Sequence, residues 1–351
     1  MDERKKIAFT CAHTPLPVID AAGFSPYRIL PMGDFPDQAG GRLHDNLCPH
    51  VKKVLDIGLA DAMPEIAGMV LMNSCDAMRR LADAWRHARP DDRLILLDMP
   101  ATADPLAVTF FAGEIKRLSA ELSQWSGAPV SDDQIMDAVG RFNHLSRLID
   151  KAARKLRAGE IKGGAGKLQE IVNLAFSAPM DHSVNEIEKI LQTAEPAAPD
   201  KDTPRVFLFG NVMPDPGALA FFESCGLKIV GDDLCTGARM FNPIDMENPG
   251  EDVHVRLAKG LLSRTPCPRT FFPENPGSIA DQTADGAKEC GAEAVIGHTL
   301  KFCDPYIDRL PIIRKRMKEE GFPLLLLEGD CSLRSAEQHR TRIEAFVEML
   351  R

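Results

Sequence analysis

The amino-acid sequence predicts an α/β protein made of two similar small doubly wound parallel-sheet domains joined by a helical segment. Three observations lead to this fold class. Short continuous apolar runs of strand length recur along the chain, helix-like segments separate most of them, and the pattern of the first half returns in the second. Apolar strands joined by helices are typical of parallel sheets covered on both faces. One continuous sheet is the alternative.

Each half contributes four predicted strands. They span residues 6–11, 27–32, 67–74 and 93–100 in the first half, and 205–211, 227–233, 292–298 and 322–330 in the second. Ile7 and Ile29 are 22 residues apart, and Val206 and Ile229 are 23 residues apart. Similar spacing of similar elements indicates an internal duplication.

Helical material lies between the halves. Asp104 is a plausible N-cap before Pro105, and Ser131 with Gln134 forms a capping-box pattern, so two long helices are expected. Residues 193–204, rich in Ala, Pro and Asp, are typical of an interdomain linker. The predicted division is an N-terminal α/β domain at 1–102, a helical connecting segment at 103–198 and a C-terminal α/β domain at 199–351.

Charge and composition exclude several function classes. The formal net charge of -9 argues against a nucleic-acid partner, which usually needs a concentrated positive surface. The N-terminus lacks the apolar segment of a signal peptide, and no apolar run approaches the length of a membrane span. We therefore expect a cytoplasmic protein with neither nucleic-acid nor membrane partners.

Nucleotide and hydrolase motifs are also missing. The segment "GGAGKL" at 163–168 hints at a phosphate loop, but Ile161 stands where the first glycine belongs and Leu168 replaces the magnesium-binding hydroxyl residue. We expect a loop there. The chain contains no G-x-G-x-x-G, G-x-S-x-G or H-E-x-x-H pattern. The sequence thus predicts no ATP hydrolysis by this chain itself.

Nine cysteines in a reducing compartment are buried thiols or metal ligands rather than disulfides, and no C-x-x-C pattern occurs. Cys75 and Cys303 each follow the third strand of their half, and each precedes an aspartate. Cys48 precedes a proline at a predicted helix N-terminus, which favours a thiolate. Carboxyl ends of strands carry functional groups in this fold class, so facing domains can bring the three thiols together in an interdomain cleft.

Three cysteines suit a [4Fe-4S] cluster with one open iron, because structural zinc prefers four closed ligands. Buried, unliganded cysteines are the alternative that spacing leaves open.

Seven ordered blocks resemble subunits of the 2-hydroxyacyl-CoA dehydratase family, which also includes the ATP-dependent benzoyl-CoA reductases and the double-cubane cluster proteins. The blocks are "CAHTPLPVIDAAGFSPYRI" (11–29), "LCPHVKKVLDIGL" (47–59), "NSCDAMRRLADAW" (73–85), "LLDMP" (96–100), "GDDLCTGARMF" (231–241), "KFCDPY" (301–306) and "TRIEAFVEML" (341–350). The resemblance runs nearly end to end.

The resemblance implies a [4Fe-4S] cofactor held by three cysteines, and the matching positions are Cys48, Cys75 and Cys303. It implies a homologous subunit, paired as a heterodimer or homodimer, and a separate ATP-hydrolysing iron-sulfur activator that delivers one low-potential electron. In the dehydratases this electron turns the acyl-CoA thioester into a ketyl radical, from which the 2-hydroxyl and a 3-proton are lost. The alternatives are an aromatic acyl-CoA or double-cubane reductase and a non-catalytic cluster-carrying partner subunit.

One departure concerns the stretch after the first cysteine. Relatives commonly carry Tyr-x-Pro-x-Glu, whereas residues 13–17 read His-Thr-Pro-Leu-Pro, so Pro17 replaces the glutamate. His13 is then the candidate general acid or base. An electron-relaying subunit or a different substrate is the other explanation. Asp76 and Asp304 are expected to support the ligands or to cap helices.

The remaining cysteines divide into two groups. Cys11, Cys235 and Cys331 lie near strand ends and are candidate extra ligands for a larger double-cubane cluster, whereas Cys225, Cys267 and Cys290 are expected to be peripheral. In "GDDLCTGAR", Gly237 is expected to relieve backbone strain and Arg239 to be available for an anionic ligand.

Overall fold

The computed structural model describes residues 4–33, 37–197, 202–330 and 336–351. Its strands are β1 Lys6–Phe9, β2 Ser25–Arg28, β3 Ile66–Asn73, β4 Leu94–Asp98, β5 Arg205–Gly210, β6 Lys228–Asp233, β7 Ala294–Leu300 and β8 Leu324–Gly329. Its helices are α1 Leu16–Ala21, α2 Pro49–Leu59, α3 Asp76–Ala88, α4 Pro105–Ser126, α5 Asp132–Arg157, α6 Gly164–Ser177, α7 Met180–Thr193, α8 Pro216–Ser224, α9 Val253–Leu262, α10 Ser278–Glu289, α11 Asp304–Glu319 and α12 Ala336–Leu350.

The strands form two separate four-stranded sheets, with orders β2-β1-β3-β4 and β6-β5-β7-β8. Every strand pair is parallel. The predicted fold class is therefore confirmed, and the single continuous sheet is wrong. Each predicted strand overlaps an observed one, but β2 covers Ser25–Arg28 rather than the predicted residues 27–32. The two sheets share one strand order, as an internal duplication requires.

Continuous apolar runs form these strands because both faces of each sheet are covered. All seven residues of β7 are buried, and so are the central residues of β3. Helix α4 packs against β4 of the first sheet and α5 packs against α1, and Phe111 and Leu145 belong to the same apolar core as Val70. Removing apolar surface from water in this way stabilises the folded state by about 25 cal/mol per Å².

The capping signals of the connecting helices behave as expected. The Asp104 side chain accepts hydrogen bonds from two backbone N–H groups at the start of α4, and Ser131 and Gln134 form the capping box of α5.

The predicted loop at 163–168 is wrong, because α6 begins at Gly164. Apolar residues later in α6, such as Ile171 and Val172, are buried on one face of the helix. Their burial stabilises the helical conformation of the whole segment, including residues 164–168. The predicted domain boundaries stay a prediction.

A long connection crosses from the second half of the chain to the first. The Arg269 guanidinium donates to the carbonyls of Met99 and Pro100, and the Phe271 N–H donates to Ala101 O at 2.7 Å. From the other side, Arg28 at the end of β2 donates to Cys235 O at 2.8 Å. These bonds hold the carboxyl ends of the two sheets against each other.

None of the helices in the described part of the chain has the length and apolarity that a bilayer crossing needs.

Candidate functional site

A cavity of about 120 Å³ lies between the carboxyl ends of the two sheets. Its walls come from the segments that follow β1, β3, β4, β5, β6 and β7, together with the start of α2 and the crossing connection. Six cysteines line it: Cys11, Cys48, Cys75, Cys235, Cys267 and Cys303. The carboxyl ends of parallel strands are where this fold class places its functional groups.

Cys48, Cys75 and Cys303 share one structural position. Each is the N-cap residue of a helix, of α2, α3 and α11 respectively, and none of their side chains makes a capping hydrogen bond. Backbone N–H groups of a first helical turn are free to donate to a neighbouring anion. Each sulfur therefore stands where a thiolate meets the positive end of a helix dipole.

The aspartates that follow two of these cysteines lie outside the cavity wall. Asp76 and Asp304 occupy the first helical positions of α3 and α11, so neither is the N-cap residue. Both are exposed, and the Asp76 carboxylate lies 3.5 Å from Arg80 one turn later. Their negative charges complement the helix dipoles without touching the space between the cysteines.

The three predicted ligands lie within electrostatic range of one another. Burial raises the pKa of Cys48 to about 12, with smaller contributions from nearby Cys303 and Cys75. Burial also raises the pKa of Cys303 to about 11. The expectation that the helix would favour a free thiolate at Cys48 is wrong, because desolvation raises its pKa by more than the neighbouring backbone N–H groups lower it. Metal binding must therefore displace protons here.

Cys11, Cys235 and Cys267 form a second group in the same cavity. Burial, with smaller contributions from Cys235 and Cys11, raises the pKa of Cys267 to about 12. Burial likewise raises the pKa of Cys11, and nearby Cys235 raises it further by a smaller amount. The expectation that Cys267 is peripheral is wrong, since the crossing connection carries it into the cavity.

The other three cysteines lie elsewhere or outside the described residues. Cys225 is buried in the core of the second half. Cys290 lines a different cavity beside β6, where its Sγ would lie 2.3 Å from a Cβ added to Gly231. Both are peripheral, as expected. Cys331 lies outside the described residues.

Buried donors without partners surround the six thiols. Arg28 Nη1, His50 Nδ1 and Thr10 Oγ1 have no hydrogen-bond partner among the described residues. Arg28 is only 2% exposed, and burial lowers its pKa to about 10, so it remains cationic at neutral pH. Buried polar groups are normally paired. Unpaired cationic and polar groups around clustered thiols fit an anionic guest that supplies further acceptors.

The cavity thiols are soft donors of the kind that bind zinc or iron-sulfur clusters. Among the described residues, no three His, Cys, Asp or Glu side chains stand close enough to hold a single metal ion. A lone zinc needs its sulfurs about 2.3 Å from one centre. A cubane spreads its cysteines over separate irons, so they can stand on separate walls. The donor set and the surrounding cations thus fit an iron-sulfur cluster.

His13, the candidate acid or base, lines the cavity and is 6% exposed. Burial, with smaller contributions from Arg264, Arg239 and Arg269, lowers its pKa to about 3. In the cluster-free chain the imidazole is therefore neutral at physiological pH. Pro17 lies within α1, after the N-cap residue Pro15.

Arg239 is occupied, contrary to expectation. Its guanidinium makes two bonds to the Asp233 carboxylate, at 2.6 and 2.7 Å, and one to Tyr306 Oη at 2.9 Å. Its remaining Nη1 donates to Cys235 Sγ at 3.3 Å. Gly237 is required for a steric reason rather than a strained angle, because an added Cβ would lie 2.0 Å from Asp232 Oδ1.

Asn211 is a site residue that the sequence reasoning missed. Its side-chain amide donates to Cys303 Sγ at 3.0 Å. The available signal was its place directly after β5, at the carboxyl end of a central strand.

Comparisons with known proteins match nearly the whole chain. Residues 11–350 match the family described as 2-hydroxyglutaryl-CoA dehydratase, D-component. The chain is 23% identical to the (R)-phenyllactyl-CoA dehydratase beta subunit of Clostridium sporogenes, over 99% of this chain and 92% of that protein. It is 22% identical to the lactoyl-CoA dehydratase subunit beta of Anaerotignum propionicum, over 96% and 90%. It is 21% identical to one of the benzoyl-CoA reductase subunits of Thauera aromatica, over 92% and 84%.

Proposed function

The chain belongs to the 2-hydroxyglutaryl-CoA dehydratase D-component family, and we propose that it is an iron-sulfur subunit that uses one low-potential electron for reductive radical chemistry on an acyl-CoA. Family membership makes it an enzyme subunit of the dehydratase or reductase class. The observation that carries the proposal is the convergence of three helix N-cap cysteines, Cys48, Cys75 and Cys303, on one cavity.

Those three cysteines would hold a [4Fe-4S] cluster, which when bound supplies one-electron chemistry and an open iron. The chain itself provides the environment. Its wall includes the apolar side chains of Met78, Val212 and Leu300, which reduce the access of water to the thiols. Arg28 and Arg269 add positive charge near the sulfurs. Exclusion of water strengthens every charge interaction in the cavity.

The proposal includes partners. Each of these three relatives is named as one subunit of its enzyme, so it works beside other subunits. We propose a homologous subunit as heterodimer or homodimer partner, and a separate ATP-hydrolysing iron-sulfur activator as the source of the electron. The setting would be the cytoplasm, and the substrate an acyl-CoA.

Anaerobic purification with iron and sulfide determination tests the proposal. We expect at least about four irons per chain. Replacing Cys48, Cys75 or Cys303 singly by Ser should remove most of the iron bound at that centre, whereas Cys290→Ser, outside the cavity, should retain it. A folded chain without iron after reconstitution would refute the cluster.

A second candidate function is a double-cubane reductase of small molecules, and the second cysteine group favours it. Cys11, Cys235 and Cys267 line the same cavity and supply three more thiols. About eight irons per chain would support it. Replacing Cys235 by Ser should then lower the content to about four irons. A content of about four irons in both the wild type and this variant would refute it.

A non-catalytic cluster-carrying partner is favoured by Pro17 in place of the family glutamate. Titration of the cluster-loaded chain with acyl-CoA thioesters separates this candidate from the enzyme. Electron uptake without any acyl-CoA binding, both alone and with its partner subunit, would support the carrier role.

A further inference from the structure

Asn211 connects two of the cysteine-bearing segments. It directly follows β5, and its carbonyl accepts the Cys235 N–H at 2.8 Å. Its side-chain Oδ1 accepts the Leu300 N–H at 2.9 Å, and its Nδ2 donates to Cys303 Sγ at 3.0 Å. The residue therefore holds the ends of β6 and β7 at fixed positions relative to the cavity.

The orientation of this amide follows from its partners. The Leu300 N–H can only donate, so the amide oxygen must face it. The amide nitrogen then faces Cys303 Sγ. A flipped amide would set an oxygen lone pair against the sulfur and leave the Leu300 N–H opposite another donor. The N–H to sulfur bond is thus built into the fold.

The three predicted ligands are unequal in this respect. Among the described residues, Cys303 Sγ accepts a hydrogen bond from the Asn211 side chain, whereas neither Cys48 nor Cys75 makes a side-chain capping hydrogen bond. A hydrogen-bond donor stabilises a negatively charged sulfur more than a neutral one. An added electron increases the negative charge on the sulfurs of a cluster, so a donor stabilises the reduced state more than the oxidised state.

The duplication identifies the corresponding position in the first half. Phe9 pairs with Val70, five residues before Cys75, and Gly210 pairs with His298, five residues before Cys303. Thr10 and Asn211 follow these paired residues and are therefore equivalent. Thr10 Oγ1 has no hydrogen-bond partner among the described residues. Within that part of the chain, only the second copy of the duplicated position carries a side-chain donor to the third-strand cysteine.

We propose that Asn211 is a positioning residue that raises the reduction potential of the cluster held through Cys303. The inference rests on the proposed cluster and extends it, because it assigns a role to a residue that is not a ligand. Hydrogen bonds to cysteine sulfur are one of the factors that set the reduction potential of an iron-sulfur cluster. The bond also restricts the Cys303 rotamer and so holds the sulfur toward the cavity.

The test compares Asn211→Ala and Asn211→Asp with the wild-type chain after anaerobic reconstitution. Both variants remove the N–H donor, and the aspartate keeps an acceptor for the Leu300 N–H. Asn143→Ala and Asn143→Asp are matched controls, since Asn143 Nδ2 and Oδ1 bond the Ile244 backbone at 2.8 and 2.7 Å, and neither residue lines the cavity.

An EPR-monitored titration with titanium(III) citrate as reductant should find a more negative midpoint in both Asn211 variants. A loss of about tenfold in the reduction equilibrium constant corresponds to about 59 mV for one electron. Resonance Raman spectra of the oxidised cluster should show a shifted Fe–S(Cys) stretch. The Asn143 variants should match the wild type in both measurements.

An unchanged midpoint and Raman spectrum in variants that carry full iron would overturn this inference alone. Loss of iron from both Asn211 variants, with the Asn143 controls intact, would make Asn211 a structural residue and would also overturn it. An iron-free wild-type chain would instead refute the proposed function, so the two failures are distinguishable.

Discussion

Cys75 and Cys303 are the N-cap residues of α3 and α11, the two helices that follow the third strand of each sheet. Each precedes an aspartate at the first helical position. The duplicated strand-turn-helix unit therefore presents one cysteine from each half to the shared cavity. Facing carboxyl ends of the two sheets bring the pair together.

Arg239 balances a buried negative charge. It is 3% exposed and forms a two-pronged ion pair with Asp233. Arg239→Met should lower the free energy of unfolding by about 3–5 kcal/mol, because the carboxylate is left buried and unpaired. Anaerobic denaturant titration measures this. Arg80→Met, which removes exposed ion pairs with Asp76 and Asp83 at 3.5 and 4.0 Å, should change this free energy by less than about 1 kcal/mol. Equal effects of the two changes would contradict the assigned role.

A side chain at position 237 is predicted to destabilise the protein for a steric reason. The Asp232 carboxylate accepts the N–H groups of Leu234 and Ala238, at 3.0 and 2.8 Å, and an alanine Cβ at 237 would collide with it. Gly237→Ala should cost about 1–3 kcal/mol in the free energy of unfolding. The control is Gly113→Ala in α4, where the added Cβ would meet no described heavy atom within 4 Å beyond its chain neighbours and its own helix backbone. That change should stabilise the protein by up to about 1 kcal/mol. The same sign for both would exclude the steric explanation.

His298 should make stability pH-dependent. It is buried in β7 between Phe222 and His339, and burial lowers its pKa to about 4, with His339 lowering and Asp330 raising it. The unfolded imidazole titrates near 6.5, so the unfolded state binds the proton first as the pH falls. The free energy of unfolding should decline between pH 6.5 and about 4, by up to about 3 kcal/mol from this group.

Urea titrations across this pH range, on the wild type and on His298→Gln, check the dependence. The variant should have a flatter profile between pH 4 and 6.5. His182→Gln, on the exposed face of α7, should leave the wild-type slope in place. A wild-type slope in His298→Gln would assign the effect to another group.

The thiols of the cluster-free chain should react only at high pH. Because burial raises the pKa of Cys48 to about 12 and of Cys303 to about 11, their thiolate fractions stay small near pH 8. Iodoacetamide rates, mapped by mass spectrometry and compared with an unstructured cysteine peptide, should still be rising at pH 10. Rates that level off near pH 9, as for the peptide, would show that helix dipoles outweigh burial.

Local sequence predicted much of this architecture because the relevant forces act locally. Eight apolar runs became eight strands, and Asp104 and Ser131 capped the helices that they were expected to cap. The segment at 163–168 failed, since its glycines indicated a loop whereas the apolar face further along α6 decided the conformation. Propensity at a few positions is weaker than burial of a whole helical face.

By itself the sequence determined the duplicated α/β pattern and selected Cys48, Cys75 and Cys303 from nine cysteines, because strand period and helix capping reveal which residues end a strand or begin a helix. Only the tertiary structure decided that Cys267 joins the cavity, that Asn211 donates to Cys303, and that burial raises the thiol pKa at Cys48. Those facts depend on how the crossing connection is anchored to the first half and on how much water the closed halves exclude. Neither the anchoring of this connection nor the exclusion of water can be recognised from a local stretch of sequence.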